Sequence, residues 1–178
     1  MTLPTLIGGK VRLCPKSIAD ARQDYLWQKD AELMAFSGNE PLRESFPEYL
    51  AQSTTVGNTE GEMMTFSIRT FQGDRHIGNC ALYLIDHTRS EAQLGIVVGE
   101  RDCWNKGYGS EAVKLLSNYA TGNLGLIKLR LKTLENNARA KRCFEKCGFM
   151  PCGALFYEGR HYTLMEFFPA SRQNHPEQ

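Results

Sequence analysis

Trp104-Asn105-Lys106-Gly107-Tyr108-Gly109-Ser110-Glu111-Ala112 decides how this chain is read. The stretch follows the apolar run Leu94-Gly95-Ile96-Val97-Val98, which reads as a strand, and it opens a helix-patterned segment. A glycine pair at a strand-to-helix junction lets successive backbone N–H groups turn toward one point. With the positive end of a helix dipole behind them, those donors make a seat for a phosphate. A dinucleotide-binding turn would want a third glycine three residues after Gly109, where this chain has Ala112, and a βαβ unit that the sequence does not supply.

Outward from that turn, the bulk properties bound the answer. The 178 residues suffice for one domain with a sizeable core, expected over residues 1–170 with a polar tail at 171–178. Lys and Arg number 21 against 20 Asp and Glu, a net charge of +1 that gives no general attraction to nucleic acid or membrane. No apolar run is long enough to span a bilayer and no export signal opens the sequence, so a cytoplasmic protein with reduced thiols is expected. The six cysteines (14, 80, 103, 143, 147 and 152) form no Cys-x-x-Cys pair, so no metal site is expected. Cys143 and Cys147, one helical turn apart, read as small apolar packing residues.

Hydrophobic periodicity places the elements. Strands are expected at 10–14, 65–71, 77–85, 92–98, 127–133, 149–156 and 162–168. Hairpin turns are expected at Gln72-Gly73-Asp74-Arg75 and Glu158-Gly159. Helices are expected at 17–30, 45–52, 110–121 and 137–146. The first has Ser17 as N-cap, Asp20 at N3, and a core stripe of Ile18, Ala21, Tyr25, Leu26 and Trp27; the last is stopped by Gly148. Residues 54–61 read as an exposed loop. The sum is an α+β fold: a mixed, mostly antiparallel sheet of about seven strands covered on both faces by about four helices.

A second stretch, Leu134-Glu-Asn-Asn137-Ala-Arg-Ala-Lys-Arg-Cys-Phe-Glu-Lys-Cys-Gly148-Phe149, follows the strand at 127–133. Together with the glycine turn it resembles the GNAT superfamily of N-acetyltransferases. The run Ile96-Val-Val-Gly-Glu-Arg-Asp-Cys-Trp-Asn-Lys-Gly-Tyr-Gly109, with Val11-Arg-Leu-Cys-Pro15 and Tyr25-Leu-Trp-Gln-Lys-Asp30, is similar to the branch of ribosomal-protein and spermidine acetyltransferases. The resemblance runs from about Gly9 to Phe168. It implies the GNAT fold, acetyl-CoA as donor and direct transfer to a primary amine in a ternary complex.

Carried over by position, the resemblance implies that Ile96, Val97 and Val98 pair their main chain with the pantetheine arm, which enters like an added strand. Asn105, Lys106, Gly107, Tyr108, Gly109 and Ser110 would wrap the pyrophosphate, Lys106 through its backbone. Asn137 would bond the cofactor's amide arm while also capping its helix. Arg142 reads either as a phosphate contact or as a solvated helix-face arginine, and Trp104 as a packing residue under the turn. The N–H of Val98 would serve the oxyanion.

Where relatives carry a tyrosine acid this chain has Phe144, and Gln93 and Lys132 occupy customary carboxylate positions. No acid or base is therefore assigned. Glu91, Glu100, Asp86 and His87 are distant alternatives, each more readily read as an exposed loop residue. A lysine-like amine of pKa about 10.4 loses its proton at pH 7 for roughly 4–5 kcal/mol, an α-amine near 7.8 for about 1 kcal/mol. A site without a base thus favours a protein N-terminus or small α-amine. The acceptor alternatives are a polyamine, held by Glu40, Glu44 and Glu48, or an aminoglycoside. A third reading is a catalytically silent acyl-CoA-binding module. Either a monomer or a homodimer suits the sequence. Acceptor selection is expected from residues 36–41 and 157–162.

Overall fold

A computed structural model describes residues 3–55 and 63–170. They form β1 (Leu6–Ile7), β2 (Val11–Pro15), a 3₁₀ turn (Ile18–Asp20), α1 (Ala21–Lys29), α2 (Ala31–Ser37) and α3 (Phe46–Thr55). Then come β3 (Met63–Thr70), β4 (His76–Asp86), β5 (Glu91–Val98), a second 3₁₀ turn (Arg101–Cys103) and α4 (Tyr108–Gly122). The chain closes with β6 (Lys128–Leu134), α5 (Ala138–Lys146), β7 (Met150–Tyr157) and β8 (Arg160–Phe167). One eight-stranded sheet runs β1-β2-β3-β4-β5-β6-β8-β7. Its one parallel pairing, β5 with β6, spans only Glu91–Gln93 against Lys128–Arg130. No helix of the described residues is long and apolar enough to cross a membrane.

The expected α+β class, the hairpins and every expected strand are present, with β1 as an eighth. The helix expected over 17–30 is instead a 3₁₀ turn followed by α1. Ser17 does cap the turn, in a reciprocal box with Asp20. Asp30 then stops α1 and accepts the Leu33 N–H at 3.0 Å to start α2, an element that periodicity missed. Gly38, at φ 76°, ends α2. The expected stripe is corrected too. Ile18 is 60% and Leu26 50% exposed, while Asp20 and Asp24 are buried with Ala21 and Trp27.

These carboxylates are buried because they are satisfied. Ser67 Oγ donates to Asp20 at 2.6 Å, Asn79 Nδ2 donates to Asp24 at 2.6 Å, and Arg69 and Lys16 supply the countercharges. They lock α1 onto β3 and β4. On the other face α4 buries Ala112, Val113, Leu116 and Ala120 against Leu13, Phe66, Leu94 and Leu129, matching the expected spacing. Helices thus cover both faces of the sheet, except at its β7 edge, which is exposed along its whole length. The expected loop at 54–61 falls mostly, and the tail at 171–178 wholly, outside the described residues.

Candidate functional site

Beyond Gln93 and Arg130, β5 and β6 no longer pair, and the sheet opens. The register of β4 with β5 fixes which main-chain groups of β5 face that opening. Gly99 N–H donates to Ile77 O at 2.9 Å, and the antiparallel register continues through Gly78↔Val98, Asn79↔Val97 and Cys80↔Ile96. By the alternation of antiparallel ladders, the N–H and C=O of Val98 and Ile96 point away from β4 and into the gap. Those of Val97 point to β4. Val97 therefore does not offer the main-chain pairing expected of it. Its side chain packs with Trp27, Leu33 and Met34 instead.

The carbonyl of Val98 is already engaged: Trp104 Nε1 donates to it at 2.7 Å. Trp104 is thus more than packing under the turn. It ties the end of β5 to the start of the glycine loop and leaves the Val98 N–H free for a ligand.

That loop turns on two left-handed residues, Asn105 at φ 60° and Gly107 at φ 84°. Asparagine is among the few side chains that tolerate this region, and glycine adopts it without penalty. Gly107 is also the N-cap of α4, and it has no side chain with which to accept a hydrogen bond. The N–H groups of Tyr108, Gly109 and Ser110 are consequently left without an acceptor among the described residues; the next one, Glu111 N–H, bonds Gly107 O at 3.0 Å. Three donors at the positive end of a 15-residue helix make the anion seat that the sequence anticipates.

Gap and seat open into one cavity of about 580 Å³. Ile96, Val97, Val98, Asn105, Gly107, Gly109, Ser110, Asn137 and Arg142 line it as expected. Lys106 and Tyr108 do not. The carbonyl of Lys106 accepts Lys10 Nζ at 2.9 Å, and the Tyr108 ring packs against the core. Asn137 caps α5 through Ala140 N–H at 3.1 Å, and its Nδ2 donates to Phe36 O at 3.0 Å. One lone pair on Oδ1 and one hydrogen on Nδ2 remain for a ligand.

Periodicity missed several wall residues. Tyr83 of β4 lines the wall from the strand face that it shares with Asn79 and Ala81, opposite buried Cys80 and Leu82, and burial pushes its hydroxyl pKa up. Leu33, Phe36, Ser37 and Asn39 come from α2 and its exit, partly within the stretch expected to choose the acceptor. Cys143 also faces the cavity, beside Ser110 Oγ at 3.3 Å, whereas Cys147 is buried and donates to Ser110 O at 3.3 Å. Only Cys147 is the packing residue expected. The neighbours Cys147 and Ser110, with the Lys146 charge, outweigh burial and hold the Cys143 thiol below the ordinary range.

No carboxylate and no imidazole lines the cavity among the described residues. The distant acids are engaged elsewhere. Glu100 accepts from Trp27 Nε1 and Gln23, and Arg75 pairs with it; Glu91 lies 3.3 Å from Arg130; Asp86 accepts from Arg89 N–H. Phe144 is buried against Phe149, as expected of a residue that cannot donate a proton.

Comparison with known proteins agrees with this geometry. Residues 10–150 match the family model of the acetyltransferase (GNAT) domain. An uncharacterized N-acetyltransferase p20 of Bacillus licheniformis is 27% identical over 154 residues, 86% of each chain. The human alpha/beta-tubulin-N-acetyltransferase 9 is 27% identical over 156 residues, 81% of this chain and 74% of its own. The crystal structure of spermidine N-acetyltransferase from Vibrio cholerae in complex with CoA and spermine superposes with a TM-score of 0.81 at 21% identity, over 94% of this chain and 100% of that one.

Proposed function

The chain belongs to the GNAT acetyltransferases, enzymes that take an acetyl group from acetyl-CoA to an amine, and on that premise we propose that its acceptor is the α-amine of a peptide or protein N-terminus. The observation that carries this reading is the absence of any carboxylate or imidazole from the described cavity wall. Without a base the amine must arrive largely deprotonated. An α-amine near pKa 7.8 meets that condition for about 1 kcal/mol at pH 7, a lysine-like amine only for roughly 4–5 kcal/mol.

The residues divide the work as follows. The N–H groups of Tyr108, Gly109 and Ser110, with Arg142 on the wall, hold the pyrophosphate. The free main-chain groups of Ile96 and Val98 take the pantetheine arm as an added strand. Bound there, acetyl-CoA supplies the thioester that the amine attacks. The Val98 N–H, held in place by the Trp104 bond to Val98 O, donates to the carbonyl oxygen as charge builds on it. Tyr83, whose raised pKa keeps it protonated, is the hydroxyl acid on the wall that can return a proton to the leaving thiolate.

A polyamine acceptor is less well served. Glu40 is paired with Arg160 at 2.9 Å, Glu44 accepts from Arg43 N–H, and Glu48 holds Ser45 at the start of α3; none of them lines the cavity. The test measures CoA release with matched α-amine and ε-amine acceptors between pH 6.5 and 9. Faster α-amine transfer at neutral pH supports the reading, and preference for the ε-amine there overturns it. CoA binding without turnover on any amine would favour the silent module.

A further inference from the structure

Two cations of the cavity wall lie on aromatic rings with no counterion among the described residues. Arg139, in the first turn of α5, lies flat on the Trp104 ring, 3.4 Å from its centroid, with Phe36 at 5.0 Å. Lys132 of β6 holds its ammonium between two tyrosines, 5.0 Å from the Tyr162 ring and 5.2 Å from that of Tyr157. Neither makes a hydrogen bond or an ion pair with any described residue. Of the carboxylates beside the residues that carry these rings, Glu40 is taken by Arg160, and Glu158 shares a hydrogen bond with the Tyr157 hydroxyl.

Both cations belong to the acceptor half. Leu129 and Leu131 of β6 face the α4 side with the main core, so the alternating Lys132 faces the side covered by α1 and α2. Arg139 reaches the same side, since Phe36 of α2 is one wall of its clamp. The planar stack orders the guanidinium and leaves its edge donors unused, an arrangement suited to receiving a carboxylate.

We infer that Arg139 and Lys132 select an acidic N-terminus: a peptidyl α-amine whose first or second residue is Asp or Glu, its side-chain carboxylate received by these two cations. This rests on the N-terminal reading above and names its substrate class. The same charges also assist the chemistry. Beside two cations an ammonium is disfavoured over the free amine, so the site lowers the proton cost that it has no base to cover.

The test compares amidated tetrapeptides Ser-Glu-Ala-Ala, Ser-Gln-Ala-Ala and Ser-Lys-Ala-Ala, with spermidine alongside, by CoA release. The acidic peptide is expected to exceed its Gln isostere by about 10- to 100-fold in kcat/KM, the worth of a charge-assisted hydrogen bond. Arg139→Gln and Lys132→Gln should each shrink that ratio toward one through KM. Equal rates for the Glu and Gln peptides, or faster transfer to spermidine, overturn the inference and leave the enzyme an amine acetyltransferase. A rise in the acetyl-CoA KM of R139Q with an unchanged Glu/Gln ratio assigns Arg139 to the donor and also overturns it. No transfer to any amine removes the N-terminal reading itself, and the inference with it.

Discussion

Glu111 is the residue whose replacement tests most directly how the anion seat is held. It lies in the first turn of α4, and its carboxylate accepts three main-chain N–H groups a hundred residues away: Gly9 at 3.2 Å, Lys10 at 2.6 Å and Val11 at 2.7 Å. The chain admits this approach because Gly8 has no side chain; a Cβ there would stand 2.8 Å from Glu111 Oε2. In Glu111→Gln one oxygen can still accept the two short bonds, but without charge, and the new NH₂ faces the Gly9 donor. Charge-assisted bonds are worth about 1.5–3 kcal/mol against 0.5–1.5 for neutral ones, so two downgraded bonds and one lost come to about 4–5 kcal/mol. The site is largely exposed, so water recovers more than half of this, leaving about 2 kcal/mol. For a chain of this length that is a drop of roughly 4–8 °C in Tm. Thermal unfolding measures the drop, and native-state hydrogen exchange should lose protection at Gly9, Lys10 and Val11 in particular. A Tm change below about 1 °C, or unaltered exchange at those amides, would refute the claim that this carboxylate pins α4 to β2.

Two further outcomes follow from the titrating groups. At pH 7 Cys143 should alkylate with iodoacetamide faster than buried Cys80, whose thiol burial pushes up, and acetyl-CoA should protect Cys143 but not exposed Cys152; peptide mass spectrometry reads both, and labelling of Cys143 indifferent to acetyl-CoA would remove it from the cavity. For Asp20, burial raises the pKa, but the Ser67 hydrogen bond and the His76 and Arg69 charges outweigh it and hold the carboxyl below its ordinary value. Its stabilisation is therefore present above the unfolded pKa, near 3.9, and is lost as pH falls through the folded one. Asp20→Asn should cost about 2–4 kcal/mol in urea unfolding at pH 7, with the gap from wild type closing below about pH 4; a gap independent of pH would contradict this assignment.

Local chemistry made much of this protein legible in its sequence. The glycine turn, the caps at Ser17 and Asn137, the hairpins and the α4 stripe each depend on residues a few positions apart, and each is present. What periodicity could not show depends on distant partners. Asp20 and Asp24 look like solvent-facing positions of an amphipathic helix until Ser67, Arg69 and Asn79 arrive from β3 and β4 to satisfy them. α2 stayed hidden because it is a seven-residue helix begun by the residue that ends its predecessor. Cys143 and Cys147 share one spacing but differ in fate, since only the thiol beside the Ser110 hydroxyl looks into the cavity.

The opening that makes the site is the least local feature of all. β5 and β6 pair for three residues and then part, and no motif in either strand announces where. The place becomes intelligible from what bounds it. On one side the Trp104 indole takes the Val98 carbonyl, which a continuing β6 would otherwise engage. On the other, Asn137 caps α5 and bonds Phe36 O, holding the start of α5 against α2 and away from β5. Two side-chain donors thus occupy main-chain acceptors at the rim of the cavity. The N–H groups of Ile96, Val98, Gly109 and Ser110 are left facing inward with no carbonyl opposite them among the described residues. A cavity that gathers so many donors beside Arg139 and Lys132, with no carboxylate on its described wall and no counterion for either cation among the described residues, is shaped for ligands that bring the negative charge with them. The phosphates of the donor meet that demand at one end, and the acidic acceptor proposed above would meet it at the other.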